Sequence, residues 1–264
     1  MENKSTTASS NPARAGFSAW LKSVTGGILV SYEREKIAGI LSDLIGYHIT
    51  QIGHFDGGML DSACRIRNKI ELHLEEDGLQ DCGCGVLANA VSLPFAAHSI
   101  DVVVIPHVLE FARDPDTALK EIDRVLIDDG LLVIAGFNPW SLWGLWRLHP
   151  VLRNRPPWNG RFHGTARLKH WLSMLDFELL EVDRFLYRPP FGQRSRMKRW
   201  LFLEKLGKLC WPYLGAAYII LARKRRIPVT PVKINWREKT FLPGASAGPA
   251  TMTGADKLHH EREL

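Results

Sequence analysis

Cysteine is scarce in this 264-residue chain, occurring only at Cys64, Cys82, Cys84 and Cys210. Four scattered cysteines cannot staple a small secreted scaffold, and the "DCGCG" pair has neither CxxC spacing nor a second pair to complete a zinc site. Reduced thiols and a cytoplasmic location are the expectation. Long hydrophobic runs are missing too. The longest uncharged one, "LCWPYLGAAYIILA" (209–222), falls short of the ~20 residues that span a bilayer and contains Pro212. The N-terminal stretch is polar without an apolar core, so no secretory signal is expected, and no internal repeat is visible. Charge of neither sign dominates: 34 Lys and Arg against 28 Asp and Glu leave +6. That permits contact with nucleic acid or an anionic membrane surface and demands neither.

What is present is an alternation of apolar strands and amphipathic helices. Residues 1–16 read as disordered, and a helical pattern runs from Phe17 to Ile45 with a break at Gly26-Gly27. "HITQIG" (48–53) and "KIELHLE" (69–75) read as strands, with "MLDSACRIR" as a short helix between them. "SIDVVVIPH" (99–107) is a β-branched run of the kind buried on both faces of a parallel sheet. "DPDTALKEIDRVLI" follows as an amphipathic helix, with Asp114 placed to cap it and Pro115 in its first turn. "LLVIAGF" (131–137) is the next buried strand. Later, "TARLKHWLSML" (165–175) reads as a helix, and "FELLEVDRFLY" (177–187) and "AAYIILARK" (216–224) as a final antiparallel pair. Residues 17–225 thus form one α/β domain with a parallel sheet covered by helices on both faces. Residues 226–264 read as a disordered basic tail.

In open α/β sheets, ligands bind beyond the carboxyl ends of the strands where strand order reverses. The loop after Ile52, the segment "LANAVSLPF", Pro106-His107 and "GFNPW" all fall at such ends. The motifs Leu93-Pro94-Phe95, Ser99-Ile100-Asp101 and Arg124-Val125-Leu126 with Gly130 resemble the middle of a class I S-adenosylmethionine-dependent methyltransferase of the small-molecule type. "GYH", "RVLIDDG" and "GFNP" are also similar to a proteobacterial YafS-like subgroup. The resemblance implies a Rossmann-like seven-stranded sheet, S-adenosyl-L-methionine as cofactor and methyl transfer to a small, apolar or lipid-like acceptor.

The same resemblance implies a site, and two of its positions depart from the family pattern. The loop after the first strand is acid-x-Gly-x-Gly-x-Gly in the family; here it reads Gln51, Ile52, Gly53, His54, Phe55, Asp56, Gly57. Gln51 can hydrogen-bond but cannot ion-pair with the cofactor's amino group, and Phe55 replaces a glycine whose missing side chain allows close backbone approach. Gly53 and Gly57 keep their places, though two glycines can also make a tight strand-to-helix turn and nothing more. Glu71, Glu75 and Glu76 are candidates for the ribose acid, with Glu75 and Glu76 nearest the strand end. Asn89 and Leu93 would lie on the adenine side. His107 would face the cofactor and the acceptor, as the candidate catalytic residue; His54 and His163 are further candidate bases.

Residues 138–158, "NPWSLWGLWRLHPVLRNRPPW", concentrate Trp140, Trp143, Trp146 and Trp158 with Arg147, Arg153 and Arg155. They read as a core-packed helix, as a lid over an apolar substrate, or as a peripheral membrane contact. Base stacking with phosphate contacts ranks behind these, and nucleic acid is not expected as a partner. "RSRMKRWLFLEKLGK" (194–208) is a basic helical stretch with an apolar stripe. The altered loop leaves a second function open, a methyltransferase-like fold that binds or regulates without catalysis.

Overall fold

The computed structural model describes residues 12–53, 60, 65–74, 86–189, 207 and 211–225. These all fall in the compact unit Met1–Ile227. The tail from 226 lies outside the described residues, as do "MLDSACRIR" for the most part and 194–208 apart from Gly207.

Seven strands form one sheet: β1 (His48–Ile52), β2 (Asn68–Leu74), β3 (Val86–Ala88), β4 (Ile100–Pro106), β5 (Leu126–Phe137), β6 (Phe177–Phe185) and β7 (Ala217–Lys224). Their order is β3-β2-β1-β4-β5-β7-β6. The first five run parallel, while β7 is antiparallel to both β5 and β6, as the late pair of strands predicted. Order reverses between β1 and β4, so the crevice beyond Ile52 and Pro106 is the switch point of the sheet.

Each central strand serves two cores. In β4, Val102 and Val104 pack with helices α1 (Pro12–Leu21) and α2 (Val24–Ser42). Val103 and Ile105 point the other way, onto α3 (Pro115–Val125) and α6 (Thr165–Met174). Period-2 alternation in a strand with no polar face requires such two-sided cover. Burying each of these side chains contributes about 1.5–3 kcal/mol.

The N-terminal helices differ from the sequence expectation. α1 begins at Pro12, within the stretch read as disordered, and the break falls at Lys22-Ser23 rather than at the glycine pair. The reason is a cap: the Ser23 hydroxyl accepts from the Gly26 amide at 3.2 Å and starts α2 there. α3 also departs in detail, since Asp114 makes no side-chain cap and contributes only its carbonyl, to Ala118 N. Two further helices among the described residues, α4 (Leu142–Trp146) and α5 (Pro150–Arg153), are short and follow β5.

Candidate cofactor crevice

Gly53 follows β1 with φ +92°, a left-handed conformation that a side chain resists. Its amide donates to Leu72 O at 2.8 Å, which holds the end of β1 to β2. A Cβ at Gly53 would lie 2.5 Å from Arg14 Nη2 and 3.0 Å from Val108 Cγ2. The backbone is therefore stripped of side chain where it turns across the switch point. Gln51 is buried one residue before the strand end, and its Nε2 reaches forward to Gly53 O at 3.3 Å. Its Oε1 is buried with no hydrogen-bond partner among the described residues. Buried acceptors are rarely left so.

Arg14 is the residue that sequence reasoning missed here. It shares the buried face of α1 with Phe17, Ser18 and Leu21, at helical spacing. Its guanidinium donates to His107 O at 2.5 Å and sits over the Phe111 ring, bridging the ends of β1 and β4.

His107 was expected to present its ring to the acceptor, and the geometry does otherwise. The residue adopts φ +51° and its side chain is wholly buried. Nε2 lies 2.9 Å from Glu33 Oε1 on α2, and Nδ1 lies 3.2 Å from Glu110 Oε1. Burial alone would disfavour the charged ring, but the two carboxylates outweigh it and raise the pKa from 6.5 to about 9. Both nitrogens then donate, leaving no lone pair to accept a proton. Burial also works against charge on Glu110, yet the bond from His107 prevails and holds its carboxyl below the usual range. Glu110 Oε1 accepts from Phe137 N at 2.9 Å as well, so the network ties α2 and β4 to the end of β5. A Cβ at Gly136 would meet Tyr218 Oη at 2.5 Å and Glu110 Oε1 at 2.9 Å, which is why the strand is bare there.

The other predicted positions separate. Leu93 is buried, and its amide donates to Glu121 Oε1 at 2.9 Å. Arg124 donates to the carbonyls of Leu93 and Phe95 while pairing with the same glutamate. The "LPF" and "RVL" motifs are thus one clamp that shapes the loop after β3. Asn89 is exposed at the end of β3, its Oδ1 accepting from Val91 N at 3.1 Å. Glu71 lies within β2, opposite Gln51 and short of the strand end. Asn138 in "GFNP" spends its side chain on structure, donating to Tyr213 O and Gly215 O and accepting from Trp140 N. His163 donates from Nε2 to Leu109 O at 3.2 Å, and its Nδ1 has no partner among the described residues. Burial lowers its pKa, so its ring is neutral. His54, Phe55, Gly57 and Glu75 lie outside the described residues.

The methyltransferase domain family (Methyltransf_11) matches residues 59–134. The uncharacterized protein YafS of Escherichia coli strain K12 is 38% identical over 187 residues, 71% of this chain and 72% of that protein. The chain belongs to the class I S-adenosylmethionine-dependent methyltransferases. A solved methyltransferase of Thermotoga maritima shares the fold with a TM-score of 0.53 at 20% identity, over 79% of this chain and 94% of that one. A Ruegeria protein named as the ubiquinone/menaquinone biosynthesis C-methyltransferase UbiE is 26% identical over 115 residues, 44% of this chain and 46% of its own length. S-adenosylmethionine is the cofactor of this methyltransferase. The orphaned Gln51 Oε1 fits a ligand that carries an ammonium group.

Proposed function

We propose that this methyltransferase transfers the methyl group to a small, apolar or lipid-like acceptor, with the cofactor held in the β1/β4 crevice. The observation that carries the binding mode is the unpartnered, buried Gln51 Oε1 beside Gly53. Gln51 would accept from the cofactor's ammonium, the turn at Gly53 would lie beside its methionine portion, and Asn89 and Leu93 would bound the adenine. Arg14 is placed to attract the carboxylate end. His107 acts through others: with Glu33 and Glu110 it fixes the carbonyl and backbone at the end of β4, as a positioning residue. When bound, the cofactor supplies a methyl group on sulfur that is open to in-line displacement. The protein's part is alignment and exclusion of water. His163, neutral and with a buried Nδ1 that is unpartnered among the described residues, is the candidate base for an acceptor that is an acid such as a phenol and reaches that nitrogen.

An apolar acceptor is supported by the Ruegeria protein of similar sequence, which is named for ubiquinone/menaquinone biosynthesis. The test is calorimetric titration with S-adenosylmethionine and with S-adenosylhomocysteine, followed by transfer of labelled methyl to a panel of quinols, phenols and polar amines. Binding of both, with transfer confined to the apolar phenolic acceptors, is the expected result. No heat and no thermal shift at millimolar ligand would favour the non-catalytic binding protein instead. Transfer to polar amines alone would overturn the acceptor class.

A further inference from the structure

From the end of β5 the chain runs from residue 138 to residue 175 without an aspartate or glutamate. The same stretch carries Arg147, Arg153, Arg155, Arg161, Arg167 and Lys169. Within it, Leu142, Leu145, Leu148 and Val151 recur at every third position and are 40%, 56%, 79% and 59% exposed. Successive i to i+3 bonds, Arg147 N to Gly144 O and Leu148 N to Leu145 O, keep the first turns tight, so Leu142, Leu145 and Leu148 share a side, while the chain is extended at His149 before α5 presents Val151. The ridge is held from beneath: Trp143 Nε1 donates to Arg188 O at 2.7 Å and Trp158 Nε1 to Trp143 O at 2.9 Å. Beside it, Leu142 joins Tyr187, Trp211 and Leu214 around a groove, and Trp140, Trp211 and Tyr213 stand 77%, 61% and 70% exposed.

We propose that this face, α4, α5 and the Trp211–Leu214 turn, docks on an anionic lipid surface. A rigid row of large aliphatics, flanked by tryptophan and tyrosine and by arginines with no acid among them, matches the composition of elements that lie in a membrane interface. The aliphatics enter the acyl boundary, the indoles sit at the headgroup level, and Arg153 and Arg155 meet lipid phosphates. A protein partner would ordinarily be met by mixed charge, and this stretch offers one sign only. The docking is a second property of the chain and does not require methyl transfer.

Co-sedimentation of the full chain with vesicles of phosphatidylglycerol and phosphatidylcholine, without cofactor, tests it. We expect binding that rises with the anionic fraction and falls at least tenfold at high salt. Leu145→Asp/Leu148→Asp should lower the bound fraction at least tenfold, and Arg153→Glu/Arg155→Glu should remove the salt dependence. Both variants should keep the wild-type melting temperature and S-adenosylhomocysteine affinity, since these side chains are exposed and distant in the chain from the crevice residues. Wild type left in the supernatant at low salt overturns the proposal. So does a concentration-dependent dimer that the Leu145/Leu148 variant abolishes while vesicle binding persists. The S-adenosylhomocysteine titration on the same samples separates this failure from failure of the methyltransferase reading.

Discussion

His107 Nε2 lies 2.9 Å from Glu33 Oε1, joining the end of the central strand β4 to the middle of α2 across 74 residues of sequence. The pair is fully buried, and with Glu110 it makes a charged strut under the cofactor crevice. A buried carboxylate-imidazolium arrangement stabilises only while it stays paired; removing one partner leaves an uncompensated charge.

The strut should make stability fall on the alkaline side. The folded pKa of His107, about 9, exceeds the unfolded value of 6.5, so its contribution is whole below pH 6.5 and is lost as pH climbs through 9. A shift of that size corresponds to a loss on the order of 3 kcal/mol. Other groups facing Glu110 act outside this window. Tyr218, pushed well above 10 by burial and by Glu110, adds its own loss only above pH 10. His163, lowered by burial, acts below pH 6.5. Urea midpoints measured from pH 6.5 to 9.5 should therefore decline for wild type and stay nearly flat for His107→Gln. A flat wild-type profile would mean that the ring is not charged in the fold.

Arg124 ties two motifs together, and its loss should be felt at the cofactor. Arg124→Ala frees the carbonyls of Leu93 and Phe95 and leaves Glu121 without its ion-pair partner, with only the Leu93 amide donating to it among the described residues. S-adenosylhomocysteine affinity should drop several-fold, more than melting temperature alone would suggest, because the loop after β3 loses its shape. Arg124→Lys should restore little, since a point charge cannot reach two carbonyls and a carboxylate at once. Equal affinity for wild type and Arg124→Ala would show that the clamp serves stability only.

The sheet was legible because its strands are continuous apolar runs, and "SIDVVVIPH" could hardly be anything but a strand covered on both faces. Glu33 and Arg14 were less so. Glu33 sits four residues from Leu29 and four from Ile37, on the buried stripe of α2. A charge at that spacing was the available signal that a buried partner existed. Arg14 lay in a stretch whose polarity read as disorder; only the period linking it to Phe17, Ser18 and Leu21 marked a helix face. His107 was misread because a histidine after a strand looks alike whether its ring turns out to a ligand or in to a carboxylate. That direction is set by φ and by residues 74 positions away, which no local pattern carries.

Gln51 stands where the family pattern has an acid, and restoring the charge should trade stability for affinity. Gln51→Glu places a carboxylate in a site that is 2% exposed. Unpaired, it costs the free protein several kcal/mol of stability. Bound cofactor supplies the ammonium and recovers it, so the thermal shift on adding S-adenosylmethionine should be larger for Gln51→Glu than for wild type. Shifts of equal size would mean that the ammonium does not lie against residue 51.

Gly53→Ala is the sharpest test of where the cofactor lies. At φ +92° an L-residue is strained by about 1–2 kcal/mol, and the new methyl would approach Arg14 Nη2 to 2.5 Å. Arg14 is buried and bonded to His107 O, so relief must come from moving its guanidinium or the turn itself. Either change disturbs the junction of β1 and β4. The variant should lose at least tenfold in S-adenosylhomocysteine affinity, with a modest fall in melting temperature. Arg14→Met offers a control, because its flexible chain vacates the contact. Gly53→Ala in that background should regain stability but not affinity if Arg14 holds the ligand's carboxylate as proposed. Recovery of full affinity in the double variant would show that Arg14 only blocks the alanine and has no part in binding.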